Sequence, residues 1–337
     1  VIKYIIRRLL AIVLIMFGVT IIMFLVTHLV PADPTVRYLG EKAASNPTIV
    51  AAFRARWGLD QPLHTQYFVY MKNLLQGDMG VSLTTRQNVA RDLMVYFPAT
   101  IELAGAAILI SAIVGGLTGI TAAWWRGKWF DNVARAGSLL GVSVPGFWLG
   151  LIVLYIFYFR LGWFPGPGQL SANLDIPARV TGFMTIDCLV AKRWDLFLNA
   201  LWHLVLPASV LASFSAGLIA RTSRSSLLEV MQQDYIRTAK AKGLATSTLL
   251  YKHVLRNGLI PTVTLLGLAF GSMLGGTVFV ETIFAWPGLG RYAYLASTGL
   301  DFPAITGVTL LFTFTYAIVN LLVDLTYAAL DPRVVYK

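Results

Sequence analysis

One cysteine, Cys188, stands in 337 residues, so no disulfide can close within the chain and no thiolate metal cluster can be assembled. Histidine is nearly as scarce. His28, His64, His203 and His253 lie on different segments, with neither His-x3-His nor His-Glu-x-x-His spacing, which leaves no zinc-hydrolase signature. No Gly-x-Ser-x-Gly elbow occurs. The single Gly-Lys pair, Gly127 and Lys128, lacks the glycine frame of a phosphate-binding loop and is followed by Trp129, so a Walker A motif is absent. Charge is also sparse, at 13% of residues against about 25% in soluble domains. What fills the place of charge is apolar: 57% of the chain is hydrophobic, in long blocks over its whole length.

A helix rises 1.5 Å per residue and a bilayer's hydrocarbon core is about 30 Å thick, so each crossing takes about 20 apolar residues. Six stretches qualify, near 9–30, 99–125, 138–159, 201–220, 259–280 and 304–330, the third with Pro145 and Gly146 inside it. The expectation is an all-α polytopic membrane protein of about six transmembrane helices, with residues 1–337 forming a single membrane domain. The first stretch follows Lys3, Arg7 and Arg8 but exceeds the h-region of a secretory signal, and no Ala-x-Ala-like cleavage site follows. It reads as an uncleaved span.

With the N-terminus inside, the cytoplasmic segments are 1–8, 126–137, 221–257 and 331–337, and they hold 15 of the 27 Lys and Arg. The outer segments, 31–97, 160–199 and 281–303, hold the other 12 in about twice the length. That asymmetry follows the positive-inside rule and places both termini in the cytoplasm. The net charge of +11 is therefore a topology signal rather than a nucleic-acid footprint.

Two acids fall within predicted spans, Glu102 and Asp324. An ionised acid at the bilayer centre costs about 2.5–3.5 kcal/mol on insertion scales, so each is either functional or held by structure. Glu102 follows Pro98 by one turn, where a helix N-terminus favours an anion. Asp324 lies toward a helix C-terminus and calls for a partner: Asn320 one turn earlier, or Arg221 or Arg224 at the neighbouring boundary. In the fifth span Gly267, Gly271 and Gly275 recur every four residues, which fits close helix packing or a face lining a pathway. In the outer segment 31–97, residues 66–75 carry apolar side chains at helical spacing, as a helix lying on the outer face would.

The inner segment 221–257 is basic and free of proline, and reads as two short amphipathic helices around Gly243. One apolar face is Leu227, Leu228, Met231, Tyr235, Ile236 and Ala239, the other Leu249, Leu250, Val254 and Leu255. Composition alone allows a solvated loop against anionic lipid. The run Arg237-Thr-Ala-Lys-Ala-Lys-Gly243 resembles the EAA loop of ABC importer permeases, with Arg237 and Thr238 in place of the usual Glu-Ala. Arg224-Ser-Ser-Leu-Leu-Glu-Val230, Asp234-Tyr-Ile-Arg-Thr-Ala239 and Ala241-Lys-Gly-Leu244 resemble the version of that loop in the dipeptide, oligopeptide and nickel permeases, more specifically their dipeptide B-type subunits. Further similarities are Leu29-Val-Pro-Ala-Asp-Pro34, Gly58-Leu-Asp-Gln-Pro-Leu63, Gly77-Asp-Met-Gly-Val-Ser82, His203-Leu-Val-Leu-Pro207, Glu281-Thr-Ile-Phe-Ala-Trp-Pro-Gly-Leu-Gly-Arg291, Asp324-Leu-Thr-Tyr327 and Asp331-Pro-Arg333.

The resemblance implies a type I ABC importer permease fold in a bacterial or archaeal cytoplasmic membrane. It implies a second homologous permease, two ATPase subunits that bind the ATP and Mg, and an extracytoplasmic solute-binding protein. It assigns ATPase coupling to Glu229, Asp234, Tyr235, Arg237, Thr238, Ala239, Ala241, Lys242 and Gly243. Trp286, Pro287 and Gly288, with the segment 162–199, are expected to face the binding protein. Dipeptides or oligopeptides are the expected cargo; nickel chelates, glutathione and oligosaccharides fit the same architecture. Two other classes stay open: a secondary carrier, which would need ion-coupling acids in its spans where only Glu102 and Asp324 occur, and an intramembrane enzyme, which would need a catalytic dyad that no pair of residues here supplies.

Overall fold

The computed structural model describes residues 2–29, 45–57 and 60–330. Leu29-Val-Pro-Ala-Asp-Pro34 and the start of Gly58-Leu-Asp-Gln-Pro-Leu63 extend outside the described residues, and Asp331-Pro-Arg333 lies wholly outside them with the rest of 331–337. Among the described residues there are thirteen helices: α1 Ile2–Leu29, α2 Pro47–Trp57, α3 Leu63–Leu75, α4 Val89–Trp124, α5 Trp129–Ser143, α6 Gly146–Arg160, α7 Met184–Val190, α8 Trp194–Met231, α9 Asp234–Ala241, α10 (246–258), α11 Ile260–Ile283, α12 Leu289–Thr298 and α13 Phe302–Leu330. Among the described residues five of them, α1, α4, α8, α11 and α13, are long and apolar enough to cross a membrane. Counting the bent pair α5–α6 as one span gives six, the expected number.

The expected third span, 138–159, runs across that bend. The two helices meet at 107° around Val144 and Pro145. Proline sterically excludes the helical region for the residue before it, and Val144 is accordingly extended, at φ −80° and ψ 125°. The other spans overrun their apolar cores: hydropathy marks 99–125 and 201–220, whereas helical hydrogen bonding continues through α4 Val89–Trp124 and α8 Trp194–Met231.

The chain divides into two compact units, residues 1–96 with 292–314 and residues 97–291 with 315–337. In the first, the aromatic face of α3 lies against α1. Tyr67 shares a hydrogen bond with Thr20 (2.9 Å) and packs edge-on to Phe24, while Gln66 meets the His28 ring at 2.9 Å. The expected amphipathic helix is thus present, with Phe68 and Leu75 on its exposed side. Two buried carboxylates fasten the rest of the unit: Asp92 accepts from the hydroxyls of Thr85 and Tyr292, and Asp301 from the Ser82 hydroxyl (2.6 Å) and the Thr84 N–H (2.9 Å).

The second unit is built around α8. Small residues let its backbone neighbours approach, as in membrane helix packing generally. A Cβ on Gly115 of α4 would stand 2.6 Å from the Ala216 carbonyl oxygen, and one on Gly119 2.7 Å from that of Ala220. From the other side Gly217 of α8 faces the Ser138 carbonyl of α5 at 2.7 Å. Gly267 and Gly271 of α11 likewise meet Val323 and Tyr316 of α13, whereas Gly275 faces open space. The first two glycines therefore serve packing in this structure.

A bidentate ion pair locks α5 to α8. The Arg224 guanidinium donates to both oxygens of Asp131 at 2.6 and 2.8 Å, and the Gly127 N–H donates to the same carboxylate at 3.0 Å. Asp131 is 2% exposed, so this pair lies largely out of water. Removing one partner of such a pair leaves an uncompensated buried charge. Asp131→Ala is expected to destabilise the unit by about 3 kcal/mol, seen as a lower unfolding midpoint in detergent. Arg224 is thereby committed to Asp131, which removes it from the three partners considered for Asp324.

Candidate functional site

After Met231 the chain leaves α8 and forms α9, a two-turn helix whose two faces differ sharply. Ile236 and Ala239 are buried. They join Leu227 at the end of α8, Ala123 at the end of α4, and Leu249 and Val254 of α10 in one apolar cluster. Helical spacing alone assigns Leu227, Leu228 and Met231 to the short helix itself. They belong to α8 and form the seat on which the short helix rests.

The seat is tight. A Cβ on Gly258 would stand 2.5 Å from the Leu227 side chain, so α10 and α8 touch there through backbone and branched side chain alone. One residue cluster further on, the hydroxyls of Ser223 and Thr262 share a buried hydrogen bond of 2.9 Å that ties α8 to α11. The Asn257 amide donates to the Tyr235 hydroxyl at 3.1 Å and fixes α9 against α10. α9 is therefore joined to α8 and α10 through packed atoms, and α8 in turn to α11.

The C-terminus of α9 is closed by Gly243, at φ +74°. The Gly243 N–H donates to the Lys240 carbonyl (3.0 Å) and the Leu244 N–H to the Ala239 carbonyl (3.3 Å), a Schellman motif with Leu244 turned into the apolar cluster. Nothing lies within 4 Å of a Cβ built on Gly243, so the demand for glycine is conformational rather than steric.

The opposite face of α9 is exposed and polar. Asp234, Tyr235, Arg237, Thr238, Lys240, Ala241, Lys242 and Gly243 all lie on it or at its end, with Glu229 exposed on the last turns of α8. The Arg237 side chain is 74% exposed and its contact with Asp234, at 3.5 Å, is a surface pair. Of the residues singled out in the sequence for this segment, Ala239 alone points inward: its small side chain lets α9 sit close to its seat.

The turn after α11 corrects the sequence reading. Trp286 is 1% exposed and donates from Nε1 to the Ala99 carbonyl at 2.9 Å, and Gly288 is buried as well. A buried indole cannot meet another protein. The turn folds inward because Glu281, fully buried, gathers the Thr100 hydroxyl (2.7 Å) and the Arg291 N–H (2.9 Å), while the Leu289 N–H donates to Thr100 at 2.7 Å. A Cβ on Gly288 would meet the Glu281 carboxylate at 2.5 Å, so glycine is what lets the turn close over the acid. In the sequence Glu281 only opens the run to Arg291, and its role as the acid beneath the turn depends on Thr100, which no local pattern marks.

Glu102 has a structural role. It receives the Thr185 N–H and hydroxyl at 2.8 and 2.6 Å and the Met184 N–H at 3.3 Å, which caps α7 and holds the segment 160–193 to α4. Asp187 of α7 turns back on the same segment. Burial works against its ionised form, but the Thr181 N–H and hydroxyl and the Gly182 N–H outweigh it and hold its pKa below the ordinary carboxylate value. A depressed pKa contributes stability above the unfolded value that disappears as pH falls through the folded one. Amide exchange at 181–187 is expected to accelerate as pH drops below about 4, after correction for the intrinsic rate. Residues 172–181 of this segment present Ile176 and Val180 to the surface.

Long apolar helices, with the short amphipathic helix α9 seated on the ends of α4 and α8, fit a membrane-embedded transport component. Residues 1–104 match the family described as "Binding-prot-dependent transport system membrane comp, N-term", and residues 115–336 that described as "Binding-protein-dependent transport system inner membrane component". The chain belongs to this family. Similar relatives include the probable D,D-dipeptide transport system permease protein DdpB of Escherichia coli, 44% identical over 97% of this chain and 96% of the relative. The di/tripeptide transport system permease protein DppB of Pseudomonas aeruginosa is 43% identical over 98% of each chain, and the glutathione transport system permease protein GsiC of Salmonella typhi 36% over 99% of each. The fold is similar to a chain in the structure titled "Inward facing conformations of the MetNI methionine ABC transporter", with a TM-score of 0.51, 17% identity, and coverage of 71% of this chain and 96% of that one.

Proposed function

We propose that this chain is one of two permease subunits of an ATP-driven importer that carries dipeptides or short oligopeptides into the cytoplasm. The supporting observation is the two-faced helix α9: seated on α8 and α10 by Ile236 and Ala239, it offers a polar and cationic face to a partner. In this reading the partner is one of two ATPase subunits, which bind ATP and Mg. Closure of the ATPase pair swings α9, and the packed seat transmits that swing into α8 and α11. Both termini lie in the cytoplasm. An extracytoplasmic binding protein delivers the solute, and the exposed stretch 172–181, in place of the buried Trp286 turn, is the surface offered to it. Peptide cargo is favoured by the relatives named for dipeptide and di/tripeptide transport, with glutathione as the second candidate.

The test is uptake into vesicles containing this chain with its second permease, ATPases and binding protein. Labelled dipeptide is expected to accumulate only with internal ATP and to stop with vanadate. Uptake that ignores vanadate and collapses with a protonophore would overturn the proposal in favour of a secondary carrier. Accumulation of glutathione but not dipeptide would retain the mechanism and replace the cargo.

A further inference from the structure

The turn that joins α4 to α5 is built differently from an ordinary connection. Six residues, Trp124-Trp-Arg-Gly-Lys-Trp129, hold three of the nine tryptophans, and all three are exposed along with Arg126 and Lys128. Phe130 sits edge-on to both Trp125 (ring centroids 5.6 Å apart) and Trp129 (5.9 Å), so the aromatics form one cluster with the cations beside it. Exposed tryptophan is unfavourable in water but favoured at the headgroup level of a bilayer, where the ring is apolar and its N–H stays wet.

The charges around this turn are of one sign. Asp131 is the sole acid between residues 121 and 140, and it is buried and neutralised by Arg224. Arg126, Lys128 and Arg135 are all exposed, which leaves a cationic surface with no competing carboxylate in the stretch. The shape is also fixed in advance. Gly127, at φ +79°, turns the chain, and its N–H is held by Asp131 in the same fork that grips α8. Arg126 and Lys128, the two residues flanking that glycine, are carried on a backbone fastened at its centre.

We infer that the turn 124–129 is a binding site for the headgroup of an anionic phospholipid of the inner leaflet, with the tryptophans at the headgroup level and Arg126 and Lys128 on the phosphate. The leaflet rests on the importer reading; the preference for an anionic headgroup does not.

The experiment uses the assembled complex in bilayers of mixed phosphatidylcholine and phosphatidylglycerol, each in turn carrying a photoreactive group near the headgroup, with adducts mapped by peptide mass spectrometry. At equal mole fraction, phosphatidylglycerol is expected to label 124–135 roughly tenfold more than phosphatidylcholine. Arg126→Gln with Lys128→Gln should bring the ratio near one, while Lys252→Gln, at an exposed cation of α10, should leave it unchanged. Equal labelling by the two lipids in the native chain, a preference that survives the double substitution, or equal loss with Lys252→Gln would overturn the site. The side of the membrane is read separately. Because the native Cys188 is buried, Asn132→Cys supplies the accessible thiol, and a membrane-impermeant maleimide should reach it only after cells are permeabilised. Labelling of intact cells would overturn the inner-leaflet placement together with the importer's orientation, and would leave the lipid-preference result standing on its own.

Discussion

Reversing one charge on α9 and one at its C-terminal cap, Arg237→Glu with Lys242→Glu, is expected to lower solute uptake by about tenfold or more while the protein still inserts and unfolds at its native temperature. The contrast follows from what these side chains touch. Both are exposed, and the ion pair of Arg237 with the exposed Asp234 is a solvent-screened surface contact. The seat of α9 depends instead on Ile236 and Ala239, which the substitutions leave alone. Interface charges set docking register and encounter rate, and reversal replaces attraction by repulsion at the same position. Measured together, uptake and ATP hydrolysis by the assembled complex should separate, hydrolysis persisting while transport fails. Native uptake in this variant would remove α9 as the link to the ATPase. Gly243→Asp acts on the same element by another route: at φ +74° an L-residue is strained by about 1–2 kcal/mol, enough to fray the Schellman closure and loosen the handle.

Glu281→Ala should destabilise the protein by about 3 kcal/mol or more, the largest effect on stability anticipated from a single polar side chain here. The carboxylate is fully buried and accepts the Thr100 hydroxyl and the Arg291 N–H. Alanine leaves both donors without this acceptor in a site closed to water, and opens a cavity beneath Gly288 and Gly290, whose missing side chains make room for the acid. Glu281→Gln keeps one acceptor oxygen and the volume, so its loss should be smaller. The thermal midpoint in detergent is the measurement, with the native, Gln and Ala chains falling in that order. An Ala chain as stable as the native one would show that the turn 284–291 is held by the burial of Trp286 and Leu289 alone.

Much of this arrangement could be read before any coordinates. Five apolar runs without interruption can only be satisfied as membrane helices, since in hydrocarbon each backbone group must bond within its own segment. Gly243 was legible as the end of a short helix because a left-handed residue is most readily glycine. The exposed face of α9 was legible because its cations alternate with apolar residues at helical spacing. The inward turn at Trp286 was not legible. A Trp-Pro-Gly run between two apolar segments has the same composition whether it projects or folds back, and the choice depends on Glu281 meeting Thr100, which is 181 residues away in sequence.

The helical membrane architecture, the basic segment 221–257 and family membership could be read from residues alone, because they rest on hydropathy, local periodicity and contiguous motifs. Which charges stay in solvent and which fasten helices emerges only on folding. Arg224, Asp131, Glu102 and Glu281 look in sequence like any other ionisable residue at a helix end, and become structural only when folding removes water and brings a distant donor or acceptor within about 3 Å. Arg237 and Lys242 remain available to a partner because no such meeting takes them out of solvent.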